Sequence, residues 1–308
     1  MRENILKLQV FLLGLFSLLV IAWPQDWYSG LSEEQREYYD EHLRFGQPDN
    51  QVLLIRNAFV LHHNSTYRIP NWVTYHIDPD YLNVPERTGR FSCFRTDDEV
   101  EDPVEDEEYD GLFDSKGYAR GHLAPYKIMG GDRDIDGEYA TYGRGVTSDA
   151  DDELTIFQGN YLTNIVPQHH SAINGPGGLW YKLERWIQDV VVAANQREVW
   201  VYAGGIVFDT EHTEGVGKND SIVVPNLFYK IVITDSGNIN QPYILAFLFP
   251  HFKSKADVKE TNIFKYLVTV DYIEAITGLD FFKNIDTSDQ EVFEGQIEIE
   301  PWTRYIRD

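Results

Sequence analysis

A short segment, residues 117–131, places an arginine, a glycine and a histidine in succession within GYARGHLAPYKIMGG. Histidine titrates closest to neutral pH among the side chains, so His122 could act as a general acid or base. The planar guanidinium of Arg120 could bind a phosphate through two parallel hydrogen bonds. Each residue taken alone is more often structural, as a packed histidine or a surface ion-pair partner. The pair therefore indicates phosphoryl chemistry only in the company of other motifs.

Two further segments carry side chains that could hold a divalent cation. TNIVPQ (163–168) contains Asn164, and HHSAINGPGGLWYKLE (169–184) contains Asn174 and Glu184. Magnesium prefers oxygen ligands and keeps most of its waters, so one amide oxygen with helpers is enough. If Asn174 begins a helix, Glu184 lies about 80° from it around the helix axis, and both could face one ion. Asn174 alone would equally serve as a helix cap, and Glu184 as a solvated helical carboxylate.

These segments, in this order, resemble the DNA/RNA non-specific endonucleases, the sugar-non-specific nucleases that include mitochondrial endonuclease G. The signature of that family is an Asp-Arg-Gly-His segment, an Asn-Ile-x-Pro-Gln strand, and an asparagine just before a helix that bears Leu-Glu. The resemblance extends from residue 52 to residue 282 and includes NWVTYHI (71–77) and TGLDFF (277–282). It implies a ββα-metal fold and cleavage of single- and double-stranded DNA and RNA at one Mg²⁺, with Mn²⁺ as an alternative and 5′-phosphate products.

The resemblance also implies roles for individual residues. His122 matches the general base that activates water, Asn174 the direct metal ligand, and Glu184 the acceptor for metal-bound water. Asn164 matches a residue that orients the site. The chemistry agrees with these roles, because phosphodiester hydrolysis needs a base that titrates near neutrality and positive charge on the phosphate oxygens.

Arginines are expected to supply part of that positive charge. The resemblance implies that Arg120 and Arg90 bind phosphate in the transition state. Arg90 lies in RFSCFRTDDEV (90–100), close to Arg87 and Arg95. A small shift of the alignment would exchange Arg90 for either neighbour.

Residue 119 is alanine where the family signature has aspartate. The missing carboxylate removes an acceptor that could orient metal-bound water, and such losses typically reduce affinity or activity about 10- to 100-fold. Because the Arg-Gly-His triplet is intact, the sequence predicts an active enzyme whose metal site is differently supported. Asp114 is the candidate substitute carboxylate.

A second departure is the long insertion at 126–163. It contains Asp132, Asp134 and Asp136 followed by Gly137, which is the beginning of a calcium-loop pattern. The twelfth position is Gly143 rather than glutamate, so a standard EF-hand is excluded. An additional Ca²⁺ site and a solvated acidic loop both remain open.

The wider pattern predicts an α+β domain in which a mixed or antiparallel central sheet is flanked by helices and carries the ββα-metal motif. Helices are predicted over 32–43, 177–195 and 270–278. Strands, rich in β-branched and aromatic residues, are predicted over 52–63, 72–77, 155–166, 197–208, 221–233 and 242–249. One nuclease domain is predicted at 51–285, preceded by a lead-in at 23–50 and followed by a tail at 286–308.

The first residues have the features of a secretory signal peptide. Basic residues precede an apolar run from 8 to 23. The segment Val20-Ile21-Ala22 offers side chains that suit cleavage after Ala22. The sequence therefore predicts a signal peptide at 1–22 and a secreted or periplasmic protein without stable membrane association. An uncleaved anchor is the alternative, although the run is short for a membrane span.

The charge of the chain opposes the nuclease interpretation at first sight. The 308 residues carry a formal net charge of −24, which repels nucleic acid over long range. The segment DDEVEDPVEDEEYD (97–110) is almost entirely acidic. A non-catalytic, acidic, calcium-binding surface protein on a decayed nuclease fold is thus the main alternative function, and a phosphodiesterase acting on a smaller substrate is another.

Overall fold

The computed structural model describes residues 28–133, 136–138, 140–208 and 213–306. The predicted signal peptide at 1–22 lies outside the described residues. Within these ranges, every helix is too short or too polar to cross a bilayer.

Thirteen strands occur in the described residues. They are β1 (Leu54–Arg56), β2 (Phe59–Asn64), β3 (Ile69–Ile77), β4 (Tyr118–His122), β5 (Tyr142–Gly143), β6 (Val146–Thr147), β7 (Ile165–His169), β8 (Val199–Ile206), β9 (Gly215–Val216), β10 (Ile222–Val223), β11 (Leu227–Thr234), β12 (Tyr243–Pro250) and β13 (Leu267–Val268). Seven of them form the main sheet, in the order β1-β2-β3-β8-β11-β12-β13, with antiparallel pairing throughout. The remaining strands pair two by two as β4 with β7, β5 with β6, and β9 with β10.

Six α-helices accompany the strands. They are α1 (Glu33–His42), α2 (Leu112–Lys116), α3 (Ala150–Gly159), α4 (Leu179–Arg185), α5 (Val270–Thr277) and α6 (Thr287–Glu294). Two π-helical segments cover His170–Asn174 and Trp186–Ala194. Short 3₁₀ turns lie at Tyr28–Gly30, Pro79–Leu82, Gly89–Ser92, Asp106–Tyr109, Tyr126–Ile128, Leu162–Asn164, Lys218–Asp220, Lys255–Asp257, Ile263–Tyr266 and Glu300–Tyr305.

The main sheet is buried on both faces. Successive strand residues point to opposite faces, so on β11 Phe228 and Val232 join one hydrophobic cluster while Tyr229 and Ile231 join the other. The first cluster includes Trp180 and other residues of α4, and the second includes residues of α1 and the 281–285 segment. Burial on both faces explains why these strands are nearly continuous apolar runs in the sequence.

Most of the predicted elements are confirmed. The strands predicted over 52–63, 72–77, 197–208, 221–233 and 242–249 each contain an observed strand. Helix α1 begins after Ser32, whose hydroxyl accepts a hydrogen bond from the Gln35 amide at 3.1 Å while the Gln35 side chain caps Ser32 in return. Helix α5 ends at Gly278, whose φ of 72° is the left-handed conformation that favours glycine.

The strand predicted over 155–166 is wrong except for its last two residues. Residues 155–159 belong to helix α3, and the strand β7 begins only at Ile165. Asp152 and Glu153 lie in the first turn of α3, where negative charge stabilises the positive end of the helix dipole. That acidic start, together with the glycine that ends the helix, is the local signal for a helix.

The segments at both ends of the described chain pack against the rest of the protein, the first on strand β8 and the last on the π-helical segment Trp186–Ala194. The ring of Phe45 lies 5.7 Å from that of Trp200, and the ring of Trp302 lies 5.7 Å from that of Trp186. The domain boundaries at 50 and 285 stay a prediction. The fold class is confirmed: the protein is α+β, with an antiparallel central sheet flanked by helices.

Candidate active site

Strands β4 and β7 form an antiparallel pair that carries the Arg-Gly-His triplet. Arg120 is opposite Pro167 and His122 is opposite Ile165, so Arg120 and His122 share one face of the pair. Gly121 lies between them on the other face. A Cβ atom at Gly121 would collide with the side-chain amide of Gln168, which explains why the triplet requires glycine.

Asn164 fixes the chain that follows His122. Its side-chain oxygen accepts a hydrogen bond from the Ala124 amide at 2.8 Å, and its side-chain nitrogen donates to the carbonyls of Ala124 and Gly159 at 2.8 and 3.0 Å. The residue is fully buried. Asn164 thus acts on the backbone around the site, which is compatible with the orienting role implied for it.

Asn174 closes the π-helical segment that follows β7, and its side-chain nitrogen lies 3.4 Å from the Arg120 carbonyl oxygen. Helix α4 begins only after Gly178. Asn174 therefore precedes the helix that bears Glu184 rather than beginning it, so the condition for the estimate of about 80° is not met. A Cβ atom at Gly178 would collide with the Ile173 carbonyl, so the compact link between the two segments needs glycine there.

Glu184 reaches the same region from α4. Its carboxylate accepts a hydrogen bond from the ammonium of Lys230 at 3.2 Å. Lys230 lies on β11 and is fully buried, with its ammonium 3.9 Å from the centre of the Trp180 ring. Burial raises the pKa of Glu184, and the charge of Lys230 opposes that rise.

A cavity of about 270 Å³ brings three of the predicted residues together. His122, Asn174 and Glu184 all line it, although they come from β4, the π-helical segment and α4. Arg87 and Gln168 line the same cavity, and the sequence motifs alone do not identify either as a site residue. The convergence of these side chains from separate elements makes this cavity the candidate active site.

Arg87 is the arginine of the 87–95 region that faces the cavity. Its guanidinium lies 4.9 Å from the centre of the Phe94 ring and 5.5 Å from that of Tyr126. Arg90 does not line the cavity and forms an ion pair with Glu153. Arg95 donates to backbone carbonyls of its own segment.

Arg120 also lies outside the cavity lining. Its guanidinium forms ion pairs with Asp106 at 2.7 Å and with Asp110 at 3.3 Å. Both carboxylates belong to the acidic run at 97–110. In this arrangement the charge of Arg120 is already neutralised by protein groups.

His122 is held in a neutral form at ordinary pH. Its Nε2 lies 3.3 Å from the side-chain oxygen of Asn160, and its ring centre lies 5.5 Å from that of Phe94. Burial of the ring, and then the nearby charge of Arg87, lower the pKa of His122 below its ordinary value. A neutral imidazole is the form that can accept a proton from water, but a pKa lowered to about 3 makes this ring a weaker base than the near-neutral one expected from the sequence.

Gln168 is a lining residue of the cavity, and its side chain lies on the face of the strand pair that Gly121 shares. It is fully buried, and neither polar atom of its side chain has a hydrogen-bond partner among the described residues. Leaving such a group unpaired costs about 1–3 kcal/mol. The amide oxygen of Asn174 and the carboxylate of Glu184 are oxygen donors of the kind that suits hydrated Mg²⁺.

Asp114, the candidate substitute for the missing aspartate at position 119, is exposed on α2 and does not line the cavity. Across the strand pair, Ala119 is opposite Gln168. The residue paired with the altered position is thus a glutamine rather than one with a carboxylate.

The second metal prediction concerns the loop at 132–137. Asp132 accepts a hydrogen bond from the Gly137 amide at 2.9 Å, and Asp136 accepts one from the Glu138 amide at 2.6 Å. Asp134 lies outside the described residues, so the additional Ca²⁺ site stays a prediction. In the described part of the chain, the grouping of three acidic residues within 4.8 Å of one another is elsewhere, at Asp271, Glu274 and Glu294.

The chain is similar to known nucleases. The family model for DNA/RNA non-specific endonucleases matches residues 41–288. A nuclease of Serratia marcescens is 27% identical over 233 residues, which are 75% of this chain and 74% of that protein. A mitochondrial nuclease of Saccharomyces cerevisiae is 23% identical over 246 residues, covering 76% of this chain and 66% of that protein.

Among solved structures, EndoG from its complex with EndoGI superposes with a TM-score of 0.62 at 19% identity, over 82% of this chain and 94% of that one. At this identity the likeness concerns the fold alone. It agrees with the α+β architecture predicted from the order of the motifs.

Proposed function

Since the chain belongs to the DNA/RNA non-specific endonuclease family, we propose that it is a Mg²⁺-dependent endonuclease that hydrolyses phosphodiester bonds of DNA and RNA, with His122 as the general base. The observation that carries the proposal is the shared cavity of His122, Asn174 and Glu184. A base and a set of oxygen donors for a cation thereby face the same space, which is the minimum that this hydrolysis requires.

Each cavity residue has a part in this reaction. The neutral ring of His122 takes a proton from water as the water oxygen bonds to phosphorus. The bond from phosphorus to O3′ breaks, O3′ is protonated by solvent, and the product carries a 5′-phosphate. A bound Mg²⁺ would supply positive charge to the phosphate oxygens. Asn174 and Glu184 would hold that ion or its waters.

The arginines divide into one inside the cavity and two outside it. Arg87 is proposed to bind a non-bridging phosphate oxygen, because its guanidinium faces the cavity beside His122. The phosphate-binding roles of Arg90 and Arg120 stay predictions. Either would have to exchange its present carboxylate partners for the substrate.

Export of the protein is proposed from the N-terminal sequence. A basic start, an apolar run and small residues before Ala22 support a signal peptide. Expression of the full chain, followed by N-terminal sequencing of the extracytoplasmic protein, is expected to give a mature chain that starts at Trp23. A chain that stays in the membrane fraction with its first residues intact would show an uncleaved anchor instead.

The main test compares wild-type protein with His122→Ala on supercoiled plasmid and on RNA, with Mg²⁺ and with a chelator. Wild-type protein is expected to nick plasmid and degrade RNA only with the metal. The variant is expected to lose at least about 100-fold in rate, the low end of what a positioned base contributes. His63→Ala is the matched control, because burial also lowers the pKa of His63, to about 4, while its ring lies on β2 outside the cavity.

The outcomes separate the candidate functions. Wild-type protein that leaves both substrates intact with Mg²⁺ or Mn²⁺ would contradict the proposal and favour a non-catalytic protein. Activity confined to small phosphodiesters would favour the phosphodiesterase alternative. Equal activity of the His122→Ala and wild-type proteins would remove His122 from the mechanism.

A further inference from the structure

We propose that Asn160 is a positioning residue that holds His122 in the tautomer with its proton on Nε2, so that Nδ1 is the nitrogen that accepts a proton. This inference rests on the proposed function, in which His122 is the general base. Asn160 follows directly after α3, in the insertion, and is fully buried.

The orientation of the Asn160 amide is determined by its surroundings. Its side-chain nitrogen lies 3.1 Å from the carbonyl oxygen of Phe91 and 3.4 Å from that of Ile156. Both neighbours can only accept hydrogen bonds. The reverse orientation would set the amide oxygen against two carbonyl oxygens, so the side-chain oxygen of Asn160 must face the other way.

That oxygen has two neighbours on its own side. A guanidinium nitrogen of Arg87 donates to it at 3.2 Å, and Nε2 of His122 lies 3.3 Å away. An amide oxygen has no proton to give, so Nε2 of His122 has to be the donor in this contact. A neutral imidazole carries a single ring proton, and with that proton on Nε2 the lone pair is on Nδ1.

The tautomer with its proton on Nδ1 would be disfavoured. A bare Nε2 would put two electron-rich atoms against each other at 3.3 Å. Among the described residues no hydrogen bond engages Nδ1, and the ring lines the cavity with Asn174 and Glu184. The nitrogen with the lone pair is therefore the one left available to water.

Arg87 gives this arrangement a second effect. Its guanidinium shares the Asn160 oxygen with His122, and its charge, after burial, lowers the pKa of the imidazole. Protonation of both ring nitrogens is thus opposed, and the neutral ring persists at ordinary pH. Asn160 and Arg87 together define both the charge and the proton position of the base.

The direct test is ¹⁵N NMR of the free protein with labelled histidine, in which the two ring nitrogens of a neutral imidazole give distinct shifts for the N–H and the bare nitrogen. His122, assigned by comparison with His122→Ala, is expected to show the proton on Nε2. A spectrum with the proton on Nδ1 would overturn the proposal, whatever the variants do.

Two substitutions link the tautomer to catalysis. Asn160→Leu removes the acceptor at similar volume and frees Arg87 to donate to Nε2, so the ring is expected to lose its single tautomer and kcat to fall about 100-fold. Asn160→Asp keeps an acceptor for Nε2 and is expected to retain the tautomer and to lose less kcat than Asn160→Leu. Its second oxygen faces the Phe91 and Ile156 carbonyls, so this variant is also expected to unfold at a lower temperature. Thermal unfolding of both variants reports whether they are folded.

The failure of this inference differs from the failure of the proposed function. An active protein in which Asn160→Leu folds and keeps both the Nε2 proton and kcat would end the role of Asn160 alone. A His122→Ala protein with full activity would show that His122 is not the general base. It would not change the tautomer that ¹⁵N NMR reports for His122 in the wild-type protein.

Discussion

The arginines beside the acidic run at 97–110 and the arginine in the cavity have different kinds of partner. Three arginines meet carboxylates of the acidic run: Arg56 pairs with Asp97 and Glu99, Arg68 with Asp102 and Glu108, and Arg120 with Asp106 and Asp110. Arg87 in the cavity instead packs on two aromatic rings and donates to an amide. No carboxylate of the described residues forms an ion pair with it.

The difference shows that net charge is a poor guide to the ligand of this protein. A formal charge of −24 predicts repulsion of nucleic acid at long range, yet a phosphate that enters the cavity meets the Arg87 guanidinium, which has no carboxylate ion-pair partner among the described residues. Cations beside the acidic run are already neutralised and hold the fold together. An arginine that lacks a carboxylate partner is the one that can bind substrate.

Exchange of the cavity arginine is the largest expected effect. Arg87→Met is expected to lower kcat/KM on plasmid about 100-fold, because it removes a donor aimed at the charge that develops on phosphate. Arg90→Met is the matched control, and its loss is expected to stay within about threefold. The reverse ranking of the two variants would restore Arg90 as the phosphate-binding residue and contradict the distinction drawn here.

The buried lysine beneath Glu184 gives the next effect. Lys230→Met removes the hydrogen bond that orients the carboxylate, and Mg²⁺ affinity measured by calorimetry is expected to fall about 10- to 100-fold. Lys182→Met is the control. Lys182 lies on α4, the helix of Glu184, but its ammonium donates to the Thr261 carbonyl at an exposed position. Unchanged Mg²⁺ affinity in a folded Lys230→Met protein would show that Glu184 needs no partner.

The motif residues of the site could be found from sequence because their identities and order are themselves the signal. His122, Asn174 and Glu184 share a cavity, as their motifs suggested. Arg87 could not be separated from Arg90 in this way. Which of two arginines three positions apart faces the cavity depends on the 3₁₀ turn at Gly89–Ser92, and no periodicity in the segment reports that turn.

Two other site residues carried weaker signals. Gln168 is the last residue of the TNIVPQ motif. A glutamine is recognised as unusual only when burial leaves its amide unpaired, which the sequence does not show. Lys230 sits within an apolar run, where a lysine normally marks a solvent-facing position. Its partner Glu184 is 46 positions away in the sequence, so only the packing of α4 on β11 reveals the pair.

A smaller effect is expected at the acidic run. Asp106→Asn with Asp110→Asn frees Arg120 from its ion pairs, and kcat/KM in low salt is expected to rise about two- to threefold. Both carboxylates are substantially exposed, so each pair is weak and screened by salt. Asp98→Asn with Glu101→Gln changes the net charge equally at exposed positions. A similar rise in that control would assign the effect to net charge rather than to Arg120.

The smallest expected effect concerns a cluster of carboxylates without an arginine ion-pair partner among the described residues. Asp271, Glu274 and Glu294 lie within 4.8 Å of one another, and burial followed by the charge of Glu274 raises the pKa of Glu294 to about 8. An unfolded glutamate titrates near about 4.3. Stability contributed by the proton on Glu294 is therefore complete at low pH and is lost as the pH rises towards 8.

Glu294→Gln removes this titration while keeping the shape of the side chain. The variant is expected to match the wild-type protein near pH 4.5 and to exceed its free energy of unfolding by roughly 1–2 kcal/mol at pH 8.5, measured by urea unfolding. Glu291→Gln, at an exposed position of the same helix, should show no such trend. A constant difference at all pH values would mean that the three carboxylates do not repel one another, and that clusters of acidic side chains in this protein need no arginine to be tolerated.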